Sequence, residues 1–490
     1  MTDETRQRAP ATGTATESEG DPTGRAEPPY HQGVGETLAD TLAYARERDY
    51  RGPDYVDGMS SRLLRALPVE HKYLNLAVQE SVKRAPIDLR PYFLVEHRRN
   101  FKGVALFAMA NLAAADLLAA RRSATVRDPT VAQRVARASS DRLGLNLVED
   151  AFLNWTGNGE SPDAGGATRR DGERERGDDG RGETVDYREE AGALCEWLIE
   201  NRSTGYSGFC GGHNHVIQGL HHQGPINDPD LVSTAYAVKA LLRASVLDDS
   251  YAETAQTAAE WAIEDMDYRE VDGGAMITYY PKHPDDAYTL NAGAVAARMF
   301  VDLYDYFGEE NYRRYAGRLL AFIADHQTAQ GGWYYRVPAD SSHLSMDGHH
   351  NGFIVEAFQR YRAVTGDTGF DGTLARALDF YRSTLFDRDG APNFDELSTY
   401  PRDVHAAAQG ILVFTYADDL PFARRILDWT TEHLSDGDGR FFFRKERFYT
   451  KRITLMRWCQ AWMAYAAAEF LAVATGRRAP AAEPAQVTEA

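Results

Sequence analysis

The sequence predicts an all-α fold, an (α/α)6 toroid in which helical hairpins stand side by side and close into an inner and an outer ring of helices. Three observations predict it. Glycine-and-aromatic turns recur at Asp272-Gly273-Gly274, Gln330-Gly331-Gly332-Trp333-Tyr334-Tyr335, Asp387-Arg388-Asp389-Gly390 and Asp436-Gly437-Asp438-Gly439. Gly274, Gly332, Gly390 and Gly439 stand 58, 58 and 49 residues apart, and a further pair, Gly211-Gly212, lies 62 residues before the first. A period of that size carries two helices, the mark of stacked hairpins that cannot bury their apolar faces alone. Second, the helices after each turn alternate in character. The first is rich in small residues, as in Asn291-Ala292-Gly293-Ala294 and His405-Ala406-Ala407-Ala408, and the second is amphipathic, as in Arg313 to Asp325. Small-residue helices pack closely inside, whereas amphipathic ones face water on one side. Third, strand signals are scarce beyond the short aromatic runs Ile277 to Tyr280 and Phe441 to Phe443.

Along the chain, residues 1–30 are rich in Thr, Glu, Pro and Gly and read as a disordered acidic tail. Residues 31–156 hold N-terminal helices that complete the toroid. Within them, Met59 to Ala85 predicts helices broken at Pro68 and stopped by Pro86. The apolar stretch Gly103 to Ala120 is interrupted by Asn111 and Asp116 and reads as a buried inner helix, not a membrane span. Residues 157–187 are nearly all Gly, Asp, Glu and Arg, an exposed disordered insertion. Residues 188–476 form the repeated part, with helices expected over 188–201, 230–245, 250–266, 289–306, 310–327, 349–364, 372–386, 403–417, 420–435 and 453–475. A disordered tail, 477–490, follows.

Composition narrows the function classes. The 490-residue chain is 43% hydrophobic and 11% aromatic, enough to build a sizeable core. Its formal charge is -19, and only seven of its 54 basic residues are lysine: Lys72, Lys83, Lys102, Lys239, Lys282, Lys445 and Lys451. Such an acidic, lysine-poor composition resembles that of halophilic proteins, and it offers no basic stripe for nucleic acid. Three cysteines, Cys195, Cys210 and Cys459, provide neither a disulfide framework nor a zinc knuckle. The N-terminus lacks a signal-peptide pattern, so a cytoplasmic location without a transmembrane segment is expected.

In a toroid the inner helix starts gather at one mouth, where unsatisfied N–H groups and positive dipole ends meet. Four such starts carry unusual polar residues. Tyr279-Tyr280 precedes Asn291, a pair of aromatic plugs and a cap-like residue in the plain reading. His349 and His350 follow Asp347-Gly348, where helix propensity alone would not select them. Histidine suits proton transfer near neutral pH, and His350 is favoured. Asp403 occupies an N-cap position, and His405 and Gln409, four apart, share one helix face. In the last start, Arg457-Trp458-Cys459-Gln460-Ala461-Trp462 pairs a cation for a carboxylate with tryptophans on which a sugar can stack. The loop with His213, His215, His221 and His222 matches no metal-ligand spacing and reads as a cavity-lining loop. Asp395 and Glu396 are carboxylates that could serve glycosidic cleavage or simply be a solvated acidic loop. No phosphate loop, nucleophile elbow or nucleotide fingerprint is present, so no cofactor is expected.

The run Gly58 to Leu67, then Ile87-Asp88-Leu89-Arg90-Pro91, then the four inner starts, resembles a family of toroid proteins encoded with surface-polysaccharide and protein-glycosylation genes. The more specific motifs are Asp403-x-His405 with Gln409, the His350 start and Arg457-Trp458-x-Gln460-Ala461-Trp462, and the resemblance covers most of residues 54–475. The family is related in shape to six-hairpin glycosidases, polysaccharide lyases and the helical domain of glucuronyl C5-epimerases. The resemblance implies glycan processing, as on a lipid-linked sugar of an archaeal S-layer or N-glycosylation pathway, with possible peripheral membrane contact. The leading expectation is an isomerase or epimerase of a hexuronic acid. His350 and His405 would be acid and base, with Tyr280 or Asp403 as further candidates. Arg457 would hold the carboxylate, Asn291, Gln409 and Gln460 would bind hydroxyls, and Trp458 and Trp462 would stack. A glycoside hydrolase or lyase, or a non-catalytic glycan-binding scaffold, are the alternatives.

Overall fold

The computed structural model describes residues 33–68, 71–127, 185–219, 223–281 and 287–478. The expected tails over 1–30 and most of 477–490, nearly all of the 157–187 insertion, and His221 and His222 lie outside the described residues. Numbered in chain order, the described helices begin with α1 (Val34–Arg46), the short α2 (Arg62–Arg65), α3 (Lys72–Arg84), the short α4 (Arg90–Phe93) and α5 (Phe101–Arg127). There follow α6 (Tyr187–Glu200), α7 (Leu231–Ala244), the pair α8 (Ser250–Gln256) and α9 (Ala258–Glu264), α10 (Leu290–Phe307) and α11 (Glu310–Asp325). Then come α12 (Gly348–Thr365), α13 (Asp371–Thr384), α14 (Val404–Tyr416), α15 (Leu420–Leu434), a π-helical turn Met456–Ala461 and α16 (Trp462–Ala474).

The inner ring is closed. α5 packs on α7, α7 on α10, α10 on α12, α12 on α14, α14 on α16, and α16 returns to α5. Outside it, α6 packs on α5, α8 and α9 on α7, α11 on α10, α13 on α12, α15 on α14 and α1 on α16. The fold is thus the (α/α)6 toroid, with the sixth hairpin made from two distant pieces of chain. Sequence character follows position. In α14 every residue from Val404 to Thr415 is buried, whereas α11 buries the stripe Tyr312, Ala316, Leu319, Leu320 and Ile323. α5 contains a segment, Phe101–Ala119, long and apolar enough to cross a membrane, and 94% of it is buried inside the ring.

The repeated glycines explain how neighbouring hairpins dock. A Cβ on Gly274 would lie 2.5 Å from the Phe322 N of α11, one on Gly331 2.5 Å from the Arg376 O of α13, and one on Gly390 2.6 Å from the Arg425 C of α15. Gly439 does the same to α1, 2.4 Å from the Asp40 O, and this contact closes the outer ring. The corresponding residue in the first turn is Gly208, whose Cβ would meet Thr257 O at 1.8 Å. It is not the Gly211-Gly212 pair that the spacing suggested, because those two pack inward on Phe101 and on the Asp228 backbone.

Two short expectations shift. Ile277 to Tyr280 and Phe441 to Phe443 are not strands; the strands are the adjoining Gly274–Met276 and Arg444–Lys445. Their apolar side chains plug the interior instead, as Ile277, Phe441, Phe442 and Phe443 are all buried. Deeper in the ring a buried ion cluster ties four inner helices together. Glu356 of α12 accepts from Arg298 Nη1 of α10 at 2.8 Å, Lys239 Nζ of α7 at 3.2 Å and Gln409 Nε2 of α14 at 3.0 Å.

Ring closure through the last turn is testable. Gly439→Ala should lower stability by about 2–4 kcal/mol, since it combines a positive φ with overpacking on α1. Gly437→Ala has the same φ of 79 but nothing within 4 Å of its Cβ, and should cost only about 1 kcal/mol. Urea unfolding of both variants checks this, and equal losses would mean that the α1 contact is unimportant.

Candidate active site

All six inner helices start at one mouth, which surrounds a cavity of about 780 Å³. Its wall takes Lys102 from α5, Val232 from α7, Asn291 from α10, His349 and His350 from α12, His405 from α14, and Arg457 and Trp458 from the π-helical turn before α16. Three of these helices are capped by aspartates. Asp230 accepts from Ser233 N at 2.8 Å, Asp347 from His350 N at 3.0 Å and Asp403 from His405 N at 2.8 Å.

Asp347 does more than cap. Its Oδ2 lies 2.6 Å from His350 Nδ1 and its Oδ1 3.2 Å from His349 Nδ1, so one buried carboxylate orients two imidazoles. Burial opposes its charge, but the histidines and the His350 N–H prevail and hold the carboxyl well below the usual range. A carboxylate only accepts, so the neutral His350 ring carries its proton on Nδ1 and leaves Nε2 as a lone pair at the cavity wall. Burial, with His350 beside it, pushes His349 down to about 3. The His349 and His350 rings lie 3.9 Å apart, and Tyr335 packs on His350 at 4.5 Å.

On the next helix start, Asp403 accepts the Trp458 indole N–H at 2.8 Å. Burial raises its carboxyl to about 6, against the lowering effect of that hydrogen bond. His405 is 1% exposed, stacked on Trp462 at 4.3 Å and on His349 at 4.7 Å. Burial, with His349 and Lys102 nearby, keeps its ring neutral, and neither ring nitrogen has a partner.

The third wall comes from loops that the repeat does not cover. Asp54 takes Arg457 Nη2 at 2.7 Å and Nε at 3.0 Å, together with Asn100 Nδ2 at 2.8 Å. Burial opposes the Asp54 charge, but Arg457 holds its carboxyl well below the usual range. His213 Nδ1 lies 3.2 Å from Asn100 Nδ2 and its Nε2 4.0 Å from Asp230 Oδ2. Beside them Lys102, 7% exposed, has no carboxylate within ion-pair distance among the described residues, and its Nζ opens on the cavity. Burial and the Arg457 charge bring it down to about 7. Tyr279 and Tyr280, with rings 4.6 Å apart, separate the cavity from a smaller chamber of about 400 Å³ and line both. Burial raises both phenols, so they stay protonated.

The structure therefore brings together His350, His405, Tyr280, Asp403, Asn291, Arg457 and Trp458 at one cavity. Asn291 presents a buried Oδ1 with no partner. Three expected contacts lie elsewhere. Gln409 is one helical turn deeper and holds Glu356. Gln460 accepts from Phe441 N at 2.7 Å and donates to Gly439 O at 2.6 Å, so it fastens the last turn. Trp462 is fully buried beneath His405. Arg457 lines the cavity but is already paired with Asp54, and Trp458 has Tyr55 stacked on it at 4.7 Å, so neither is as free as expected. Glu396 accepts from Met346 N at 3.0 Å and is half-buried, and neither it nor Asp395 is among the residues lining the cavity. Lys102 was not anticipated as a wall residue, nor Asp54 as the partner of Arg457 behind the wall. Lys102 alone had a usable signal, as a lone charge opening an apolar helix.

Two groups bring possible metal ligands within 4.8 Å of one another: Asp54, His213 and His215, and Asp347, His349 and His350. At the first, both Asp54 oxygens are engaged by Arg457 and Lys102 stands close, so a cation would meet positive charge. At the second, the carboxylate bonds are made to the histidines themselves. Neither requires a metal to satisfy its carboxylate.

No protein-family profile matches the chain, and no curated protein sequence matches it. Among solved structures, the unsaturated glucuronyl hydrolase responsible for the degradation of glycosaminoglycan from Bacillus sp. GL1 superposes with a TM-score of 0.51 at 10% identity, covering 93% of this chain and 100% of that one. A sugar epimerase from ruminal bacterium gives a TM-score of 0.50 at 12% identity, covering 78% of this chain and 90% of that one. At these identities the likeness shows the fold.

The raised Asp403 carboxyl has a consequence for stability. Between 3.8 and about 6 the folded chain keeps a proton that the unfolded chain releases. The stabilising contribution is full below 3.8 and is lost as pH rises through 6. Asp403→Asn removes this dependence, so wild type should lose about 3 kcal/mol relative to the variant across that window. Urea unfolding at both ends of the window measures it, and a pH-independent difference would mean that the carboxyl is unshifted.

Proposed function

We propose that this protein is a glycan-processing isomerase or epimerase. It moves a proton at a sugar carbon next to a carboxylate or carbonyl, as in a hexuronic acid. The observation that carries the reading is the 2.6 Å contact between Asp347 and His350 Nδ1. It fixes the ring with Nε2 as the proton acceptor. The proton passes from the sugar carbon to His350 Nε2 while the C–H electron pair moves onto the adjoining carbonyl or carboxylate, giving an enolate. Inner helix N-termini and the cationic side of the cavity stabilise that charge. A proton returned to the opposite face completes inversion. Asp403, held near 6, and Tyr280, held as a phenol, are the donors on the wall. His405 acts here by stacking under His349, since its ring nitrogens are shut off from the cavity. Surface-glycan or N-glycosylation assembly, with a lipid-linked substrate, is the setting in which we place this activity.

Asp403 also supports a second reading. A carboxylic acid raised to about 6 is the general acid that glycosidic cleavage needs, with the Asp347–His350 pair available to activate water. Mass separates the two readings, because isomerisation conserves it and hydrolysis adds water. Mass spectrometry of the host's surface glycan with and without the gene supplies candidate substrates.

Turnover in D2O should then place deuterium at the carbon beside the carboxylate or carbonyl. His350→Ala should slow that exchange by roughly 10²- to 10⁴-fold. An unchanged exchange rate in the variant would remove His350 from the chemistry, and product gaining the mass of water would favour cleavage.

A further inference from the structure

We infer that Lys102 is the residue that selects an anionic sugar, by pairing its ammonium with the substrate's carboxylate at the cavity wall. The inference rests on the proton-transfer reading only for its choice of sugar and can be tested without turnover. Buried charges in folded proteins are ordinarily paired. Of the six lysines among the described residues three are buried, and two of these are satisfied: Lys239 on Glu356 at 3.2 Å and Lys451 on the Lys83 carbonyl at 2.7 Å. Lys102 has neither an ion pair nor a hydrogen bond among the described residues. Its ammonium lies 6.0 Å from the Trp462 ring.

The neighbouring groups do not neutralise it. Arg457 repels it and is itself spoken for by Asp54. Asp230 belongs to its own helix cap, bonded to Ser233 N at 2.8 Å and Oγ at 2.6 Å, and burial pushes its carboxyl up. Burial keeps His213, His349 and His405 neutral. Lys102 stands on the second residue of α5, whose N-terminal N–H groups add positive potential at the same spot. A compact ammonium, desolvated, unpartnered and facing a cavity, recognises a carboxylate as a point charge.

A particular signature follows. Lys102 is depressed to about 7 in the empty cavity, and a bound carboxylate would raise it. Binding above neutral pH should therefore take up a proton from buffer. Titration calorimetry with D-glucuronate, D-galacturonate, D-mannuronate and D-glucose, in buffers of different ionisation enthalpy at about pH 8, reads this directly. Wild type should bind at least one uronate about tenfold or more tighter than glucose, with proton uptake. Lys102→Met should lose both the preference and the uptake while keeping its helical circular dichroism, and Lys102→Arg should keep the preference without the uptake. The inference is overturned if no uronate is preferred, or if Lys102→Met keeps the preference or the uptake. A protein that prefers uronates through Lys102 yet exchanges no substrate proton would sink the isomerase reading alone.

Discussion

The architecture depends on a contact that only glycine permits, repeated around the ring. Each turn that ends a hairpin lays its backbone against the outer helix of the next, at Thr257, α11, α13, α15 and finally α1. The apolar faces of the inner helices can then be buried on both sides, and the layers share one continuous core. Because the contact is made by backbone, flanking residues are free to differ, and the five turns share little besides glycine. The same constraint brings all six inner helix starts to one level, which makes a single polar mouth out of residues spread from Lys102 to Trp458.

The mouth shows two ways to bury a cation. A guanidinium cannot shed its proton in this environment, so Arg457 has to be given a carboxylate, and Asp54 supplies both of its oxygens. An ammonium can be tuned by its surroundings, so Lys102 remains without a partner at a depressed value. Asp347 and Asp403 divide similarly. The first is surrounded by donors and stays ionised, while the second, with fewer and weaker donors, holds its proton to about 6. Two caps of similar sequence thus acquire opposite acid–base character, set by whether histidine or tryptophan donates to each.

The ring was legible in the sequence because glycine spacing and the small-residue character of alternate helices are one-dimensional signals. His350, Asp403, His405, Asn291, Arg457 and Trp458 were legible because helix starts must converge in such a ring. Depth was not. Gln409 and Trp462 share helix faces with His405 and Trp458, but a four-residue step is about 6 Å along the axis, enough to leave the cavity. Gln460 was misplaced because the π-helical turn changes the angular phase on which face arguments rest. The pairing of Arg457 was hidden because Asp54 lies some 400 residues away, in a loop outside the repeat. Lys102 sat at the edge of an apolar run that invited attention to its hydrophobicity alone.

Closing the sixth hairpin from two distant segments also dictates an order of events during synthesis. α1 leaves the ribosome before its cover does: the surface over Val34, Leu38 and Leu42 is built from α16 and the turn at Gly439, roughly 400 residues later. Hairpins in the middle can stack on predecessors as they emerge, but the first helix waits, its apolar stripe uncovered, for the last. Joining such distant segments adds little equilibrium cost, because closure entropy grows only with the logarithm of the separation. The burden falls on kinetics: the apolar stripe of α1 stays uncovered while the roughly 400 residues up to its cover are made, and shielding it over that interval would favour closed rings.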